Sequence, residues 1–302
     1  MDPTETNSAA NGMETEPFAD DMQTVRLDEP SRCVYIGTSS VVGQREEQQD
    51  AIKADPYFAY FERGRAIAIL CDGMGGMTGG ARASALCSSI VYSEFYKEDA
   101  APSIPAFYKA AIMRADDEVN LMKDDEGRPI TGAGTTLASV VFDGDQLFWA
   151  SVGDSRIYII RDGQILCITK DHNYLMLLSE KVKKGELTRE EAESDSKKEA
   201  LISYIGMGGV AYIDMSAKGF PLKNGDYIVL CSDGLYRSVP EEEIKAVVCR
   251  NGTETNLSAT ELTALAMSKN LKNQDNTSVI VVAYEELASG DGADKAAAGA
   301  ER

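Results

Sequence analysis

An aspartate directly follows an apolar run in the stretch Ala66-Ile67-Ala68-Ile69-Leu70-Cys71-Asp72-Gly73. The same arrangement recurs in Tyr227-Ile228-Val229-Leu230-Cys231-Ser232-Asp233-Gly234. Short apolar runs that end at a turn signal are typical of buried strands. The two stretches therefore predict core strands that carry Asp72 and Asp233 at their ends. The glycine after each aspartate allows a sharp turn or a close approach of bare backbone to a ligand.

Two further aspartates have comparable positions in the chain. Asp275 comes just before the apolar run 278–282, and Asp50 closes the polar segment 45–50. Carboxylates gathered in one place cost free energy unless a cation neutralises them. Oxygen ligands of this kind suit hard ions such as Mg²⁺ and Mn²⁺. The sequence therefore predicts an all-oxygen site for divalent metal ions.

The net charge and the cysteine pattern exclude several classes of partner and of metal site. The chain has 302 residues and a formal net charge of −19, which argues against nucleic acid and anionic membrane surfaces as partners. Its six cysteines form no C-x-x-C pair, so a zinc cluster is not expected. No apolar run is long enough to span a bilayer. These features predict a cytoplasmic protein, and we expect it to be a monomer.

The composition divides the chain into a body and two tails. Residues 1–25 are acidic and poor in aromatic residues, which predicts a disordered segment. Residues 286–302 are rich in Gly, Ala and Asp and predict a flexible tail. The folded domain is therefore expected over 26–285. Within it, the polar segment 171–205 predicts a flap-like insertion on the surface.

Strands and helices follow from periodicity and turn signals. The strand-like runs are 33–38, 65–71, 136–142, 147–152, 156–160, 164–168, 226–232 and 278–284. Asp143-Gly144 and Asp162-Gly163 are hairpin signals, so much of the sheet is expected to be antiparallel. Helices are predicted over about 79–97, 103–122 and 188–194, and at the capping-box patterns Ser238–Glu241 and Ser258–Glu261. Together these elements favour an α+β layered domain.

Six short motifs occur in an order that resembles one known family. They are Arg45–Asp50, Asp72–Gly76, Gly132–Thr136, Val152–Arg156, Ser232–Leu235 and Asp275-Asn276. This set resembles the metal-dependent (PPM, or type 2C) Ser/Thr protein phosphatases over about residues 35–284. The resemblance implies a four-layer α-β-β-α sandwich, in which helices flank two antiparallel sheets and the metal site lies at one end.

The resemblance also implies which residues hold the metals. Two tight Mg²⁺ or Mn²⁺ ions would bind the carboxylates of Asp72, Asp233 and Asp275 and the backbone carbonyl of Gly73. Asp50 would act through water on the metal. Asp154 would contribute to a third, weaker metal site, as in bacterial members.

The implied reaction is hydrolysis of phosphoserine and phosphothreonine in proteins by a metal-activated water, without a covalent intermediate. Arg45, Asp72 and Asp233 would be its catalytic residues. Arg45 would bind the substrate phosphate, because a guanidinium fork matches phosphate geometry. Phosphorylated proteins are the expected partners, and a Ser/Thr kinase and its substrates are candidates.

Two residues depart from the family pattern. The family usually has Glu where this chain has Gln49, which offers an amide instead of a carboxylate. Met74 stands where animal members usually have His, so their proposed general acid is missing. Met74 is similar to the bacterial branch, whereas the spacing Gly43-Gln44-Arg45 is similar to animal members.

Several alternatives stay open at the level of sequence. The glycine-rich stretch 73–80 is also compatible with a dinucleotide loop. Arg45 is also compatible with a surface ion pair to Glu46 or Glu47, and Asp154 with a simple turn cap. His172 is a candidate general acid, although a structural role is the favoured interpretation.

Two alternative functions also remain. One is a phosphatase-like regulatory module without turnover, and the other is a hydrolase of small phosphate esters. Turnover of an aryl phosphate compared with that of phosphopeptides would separate them from the protein phosphatase.

Overall fold

The computed structural model describes residues 31–56, 58–60, 65–75, 79–97 and 103–287. The strands are β1 (Ser31–Val41), β2 (Asp50–Ala54), β3 (Phe58–Tyr60), β4 (Arg65–Met74), β5 (Gly134–Thr135), β6 (Leu137–Asp143), β7 (Gln146–Val152), β8 (Arg156–Arg161), β9 (Gln164–Cys167), β10 (Asp214–Met215), β11 (Phe220–Pro221), β12 (Tyr227–Cys231) and β13 (Thr277–Leu287). The helices are α1 (Gly79–Phe95), α2 (Ile104–Asn120), α3 (Tyr174–Lys183), α4 (Arg189–Ser194), α5 (Asp233–Tyr236), α6 (Glu241–Asn251) and α7 (Thr255–Ser268). The predicted disordered segment 1–25 and residues 288–302 of the predicted tail lie outside the described residues, whereas residues 286 and 287 of that tail belong to β13, so its predicted start is wrong.

Two antiparallel sheets form the centre of the described part of the chain. One has the strand order β3-β1-β13-β12-β8-β9, and the other has the order β10-β7-β6-β4-β2, with β11 beside β7 and β5 beside β4. Because β4 is antiparallel to both β2 and β6, the glycine-rich stretch after it does not open a parallel βαβ unit. The dinucleotide-loop alternative is therefore wrong.

The strand side chains alternate between two apolar environments. On β4, the residues Ala66, Ala68 and Leu70 face the core between the two sheets. Their neighbours Ile67 and Ile69 instead pack with the helices on the outer face of the sheet. Since successive side chains of a strand point to opposite faces, an unbroken apolar run predicts a strand covered on both sides.

The sheet that contains β12 and β13 is covered in the same way. Val229 and Val281 pack on its outer face with Ile244 of α6 and Leu262 of α7. With α1 and α2 on the sheet that contains β4, the layers are helix, sheet, sheet and helix. The predicted α+β four-layer sandwich is confirmed.

The eight strand-like runs all form strands, but some predicted boundaries are wrong. β4 continues through Asp72 to Met74, so Asp72 lies inside the strand and not after it. The capping box at Ser238 is absent, because that hydroxyl donates to the carbonyl of Gly234 at 2.7 Å. The capping box at Ser258 is also absent. The helix α7 begins earlier, at Thr255, so Ser258 lies inside the helix, where its backbone N–H donates to the carbonyl of Glu254.

The segment 171–205 carries two short helices, α3 and α4. The helix α4 follows a capping box made by Thr188 and Glu191, and it confirms the helix predicted near 188–194. The bridge from Asn173 to Leu201 closes the segment on itself. The N–H of His172 donates to the carbonyl of Gly153 at 2.9 Å, and a bridge joins Ile205 to Thr135, so both ends are tied to the sandwich. Among the described residues, no helix is long and apolar enough to cross a bilayer.

Candidate active site

A cleft of about 980 Å³ lies where ends of strands from both sheets meet. Its lining includes the predicted site residues Arg45, Asp72, Gly73, Asp154, Asp233 and Asp275. The folded chain thus brings residues from five separate motifs to one place. Asp50, the remaining predicted residue, is buried beside them.

Asp50 and Asp72 are cross-strand partners in the β2–β4 pair. Oδ2 of Asp50 accepts a hydrogen bond from the Ser232 hydroxyl at 2.9 Å, whereas Oδ1 is buried without a partner. The backbone of Asp72 is fixed on its other side, where its N–H donates to Oγ1 of Thr136 at 2.9 Å. Two carboxylates are therefore held close together by the register of the sheet.

Asp233 begins the short helix α5, directly after β12. Its Oδ2 lies 3.1 Å from Nε of Arg237, one helical turn further along the chain. Its Oδ1 is buried without a partner. One oxygen of Asp233 is thus neutralised by an arginine, and the other is free to bind a cation.

Asp154 lies on the turn between β7 and β8 and is only 7% exposed. The turn requires Gly153, whose φ of +98° is accessible mainly to glycine. The backbone N–H of Gly153 donates to Nδ1 of His172 at 3.2 Å, and His172 is 3% exposed. His172 therefore stabilises this turn through its ring, and the general-acid alternative is not supported.

Arg45 and Asp275 come from two loops that are tied together. Nη2 of Arg45 lies 2.6 Å from Oδ2 of Asp275, although 55% of the arginine side chain is exposed. The alternative pair with Glu46 or Glu47 is not formed. The next residue, Asn276, connects the loops through its side chain, which contacts the backbone of residues 42, 47 and 49.

The glycines after Asp72 and Asp233 serve a purpose that the sequence did not reveal. A Cβ on Gly73 would lie 2.2 Å from the carbonyl oxygen of Gly80, and one on Gly234 would lie 2.1 Å from that of Asn276. Neither residue has a positive φ. Both positions therefore need glycine because another backbone segment packs against them, and not because the chain turns sharply.

The carboxylates of the cleft raise one another's pKa. Burial and the neighbouring carboxylates raise the pKa of Asp72 well above its usual range. Burial raises the pKa of Asp50 to about 6, although the hydroxyls of Ser278 and Ser232 lower it. Burial, followed by Asp233 and Asp171, raises the pKa of Asp154 to about 7. The ionised forms of these carboxylates are therefore costly in the cleft, and a bound cation would stabilise them.

The donors fit divalent ions of the hard class. They are carboxylate oxygens, two of which are buried without partners. In the described part of the chain, however, no three acidic, His or Cys side chains surround a single point. An ion would take few carboxylates and fill its shell with water or carbonyl oxygens, as Mg²⁺ commonly does.

The family model for protein phosphatase 2C matches residues 42–274. This chain belongs to the protein phosphatase 2C family. The serine/threonine phosphatase stp of Listeria monocytogenes is 30% identical over 220 residues, which cover 72% of this chain and 83% of that protein. The structure of the S. agalactiae serine/threonine phosphatase has a TM-score of 0.70 at 30% identity and covers 83% of this chain and 99% of its own.

A further solved structure links the family to metal. The catalytic domain of the serine/threonine phosphatase PstP, in complex with two manganese ions, has a TM-score of 0.64 at 27% identity. It covers 84% of this chain and 100% of its own. The predicted family and enzyme class, a metal-dependent Ser/Thr protein phosphatase, are confirmed. Dependence on divalent metal and phosphoprotein substrates accompany that class.

Sequence reasoning missed several residues of this phosphatase 2C site. Arg237 contacts Asp233, and its spacing of four residues along a helical turn is a signal that was available. Glu199 and Tyr204, from the segment 171–205, line the cleft without any local motif. Met74 and Gln49 line it as well, so both departures from the family pattern lie at the site.

Proposed function

We propose that this chain hydrolyses phosphoserine and phosphothreonine in proteins at the cleft that contains Asp72 and Asp233. The observation that carries the proposal is the convergence of five aspartates, from both sheets, on one cleft. Two bound Mg²⁺ or Mn²⁺ ions would supply an activated water and neutralise the phosphoryl oxygens. Hydrolysis would then need no covalent intermediate on the protein.

The roles of the side chains follow from their places. Asp72, Asp233 and Asp275 would hold the two ions, together with the carbonyl of Gly73. Asp50 is buried beside these residues. The hydrogen bond that it accepts from Ser232 would orient its carboxylate toward water at the ions. The unpartnered oxygens of Asp50 and Asp233 support this assignment.

Arg45 would bind the substrate phosphate at the mouth of the cleft. In the structure its guanidinium pairs with Asp275, and more than half of the arginine side chain is exposed. Asp275 would hold an ion, and Arg45 would then offer its fork to two phosphate oxygens instead of to Asp275. This exchange would couple phosphate binding to occupancy of the ion site.

Partners and location follow from the same reading. We expect a Ser/Thr kinase to phosphorylate the same substrates, as reversible signalling requires. We also expect a cytoplasmic monomer. Among the described residues, none of the six cysteines forms a disulfide, which supports a reducing compartment. We also propose that the two tails are flexible and that residues 171–205 act as a flap.

Phosphate release from a phosphopeptide panel tests the function. Asp72→Asn and Asp233→Asn should each remove nearly all turnover, because each deletes a ligand charge where the ions supply the chemistry. The matched control is Asp125→Asn, since Asp125 is an exposed acid outside the cleft. Chelation should abolish turnover, and Mn²⁺ should restore it. Full activity in excess chelator would refute the proposal, and turnover of an aryl phosphate alone would favour the small-ester alternative.

A further inference from the structure

Arg237 is a cation that the protein itself places among the carboxylates of the cleft. It directly follows α5, and its backbone N–H donates to the carbonyl of Asp233 at 3.0 Å. This geometry returns the side chain over the first turn of the helix, where Asp233 lies. The position of the guanidinium is thus set by the local fold and not by a long flexible loop.

Three nitrogen atoms of this one guanidinium face three carboxylates. Nε lies 3.1 Å from Oδ2 of Asp233, and Nη2 lies 3.8 Å from Oδ2 of Asp154. Nη1 lies 3.2 Å from Oε2 of Glu199. The first two acids belong to the cleft floor, whereas the third belongs to the segment 171–205. The guanidinium therefore stands between Asp154 and Asp233 and reaches the segment above them.

Arg237 has few competitors for the carboxylate of Asp154. The Tyr236 hydroxyl donates to Asp154 at 3.4 Å. The nearby Arg156 is engaged elsewhere, because it stacks on the Tyr236 ring and pairs with Asp171 at 2.8 Å. Among the described ion pairs, Arg237 is the cation that Asp154 faces.

The two oxygens of Asp233 are divided accordingly. Oδ2 is taken by Arg237, whereas Oδ1 is buried and unpartnered. This division leaves one oxygen for the pair of ions proposed above. Arg237 also occupies Oδ2 of Asp233, so a further ion that used this oxygen together with Asp154 would have to displace the guanidinium.

We propose that Arg237 is a built-in cation that occupies the place of a third metal ion between Asp154 and Asp233 and fastens the segment 171–205 through Glu199. The inference rests on the proposed two-ion function. It implies that this chain works with two divalent ions and a guanidinium. A guanidinium cannot exchange with solvent, so the third positive charge would not depend on metal concentration.

The number of Mn²⁺ ions bound per chain tests this inference directly. Equilibrium dialysis and anomalous scattering from Mn²⁺-soaked crystals should show two ions in the wild type and a third, beside Asp154, in Arg237→Ala. The double variant Arg237→Ala/Asp154→Asn should return to two. Arg82→Ala is the matched control, since Arg82 pairs with Asp125 outside the cleft, and it should bind two ions.

Glu199→Gln separates the two parts of the inference. It keeps the contacts of Arg237 with the aspartates, so it should still bind two ions, while proteolysis within 171–205 becomes faster. Three ions in the wild type, or two in Arg237→Ala, would overturn the inference while leaving the proposed function intact. A wild type that binds no ions would overturn both.

Discussion

Asn276→Ala should loosen the loop that carries Arg45 without touching any carboxylate. The Nδ2 amide donates to the carbonyls of Val42 at 2.8 Å and Glu47 at 3.1 Å, and Oδ1 accepts from the N–H of Gln49 at 2.8 Å. A net hydrogen bond contributes about 1 kcal/mol. Because the loop is partly exposed and water can replace some bonds, the loss should total about 2–3 kcal/mol.

That magnitude has two measurable consequences. For a domain of this size, about 2–3 kcal/mol lowers Tm by roughly 5–10 °C. The loop also positions Arg45, so KM for a phosphopeptide should rise while the affinity for metal falls much less. Thermal unfolding gives the change in Tm, and initial rates at saturating Mn²⁺ give the change in KM.

Asn256→Ala is a suitable control for the same chemical change. Oδ1 of Asn256 accepts one hydrogen bond, from the N–H of Thr38 at 3.2 Å, and the site is exposed. The loss there should be about 1 kcal/mol or less, with no change in KM. If Asn276→Ala is as stable as the control and its KM is unchanged, the three contacts do not anchor the loop and the reasoning fails.

Other substitutions test neighbouring parts of the site. Arg45→Ala should raise KM roughly tenfold to hundredfold, since hydrogen bonds to charged groups contribute about 1.5–3 kcal/mol, with a smaller loss in kcat; an unchanged KM in steady-state assays would show that the arginine does not hold phosphate. His172→Phe should cost about 1–3 kcal/mol, because the N–H of Gly153 loses its acceptor. Burial lowers the pKa of His172, so the stability that the neutral ring contributes is present above about pH 6.5 and is lost as the pH falls below it. In urea titrations, the advantage of the wild type over His172→Phe should therefore shrink between pH 7.5 and 5, and a constant difference would contradict the structural role of the ring.

Much of the fold could be read from the sequence because its signals are local. Runs such as 66–71 and 278–282 are apolar on both faces, and only a strand covered on both sides accommodates them. Asp143-Gly144 and Asp162-Gly163 then fix antiparallel neighbours, as the β6–β7 and β8–β9 pairs show. The order of the motifs was sufficient to identify the family.

Boundaries and caps were less predictable because tertiary contacts compete with local preference. Ser238 matched a capping pattern, yet its hydroxyl bonds back to the preceding helical turn. The glycines 73 and 234 signalled turns, yet each is required by close packing of other backbone, that of Gly80 and Gln49 against Gly73 and that of Asn276 against Gly234. Such crowding has no local signature.

The sequence by itself determined which groups carry the chemistry. Asp50, Asp72, Asp154, Asp233 and Asp275 were chosen as oxygen ligands from their place beside apolar runs and in the motifs. Only the tertiary structure decided which cations they meet. The register of the β2–β4 pair sets Asp50 against Asp72, and the turn of α5 directs Arg237 toward Asp154 and Asp233. Charge compensation depends on distances of a few ångströms between segments far apart in the chain, and those distances exist only after the sheets have packed.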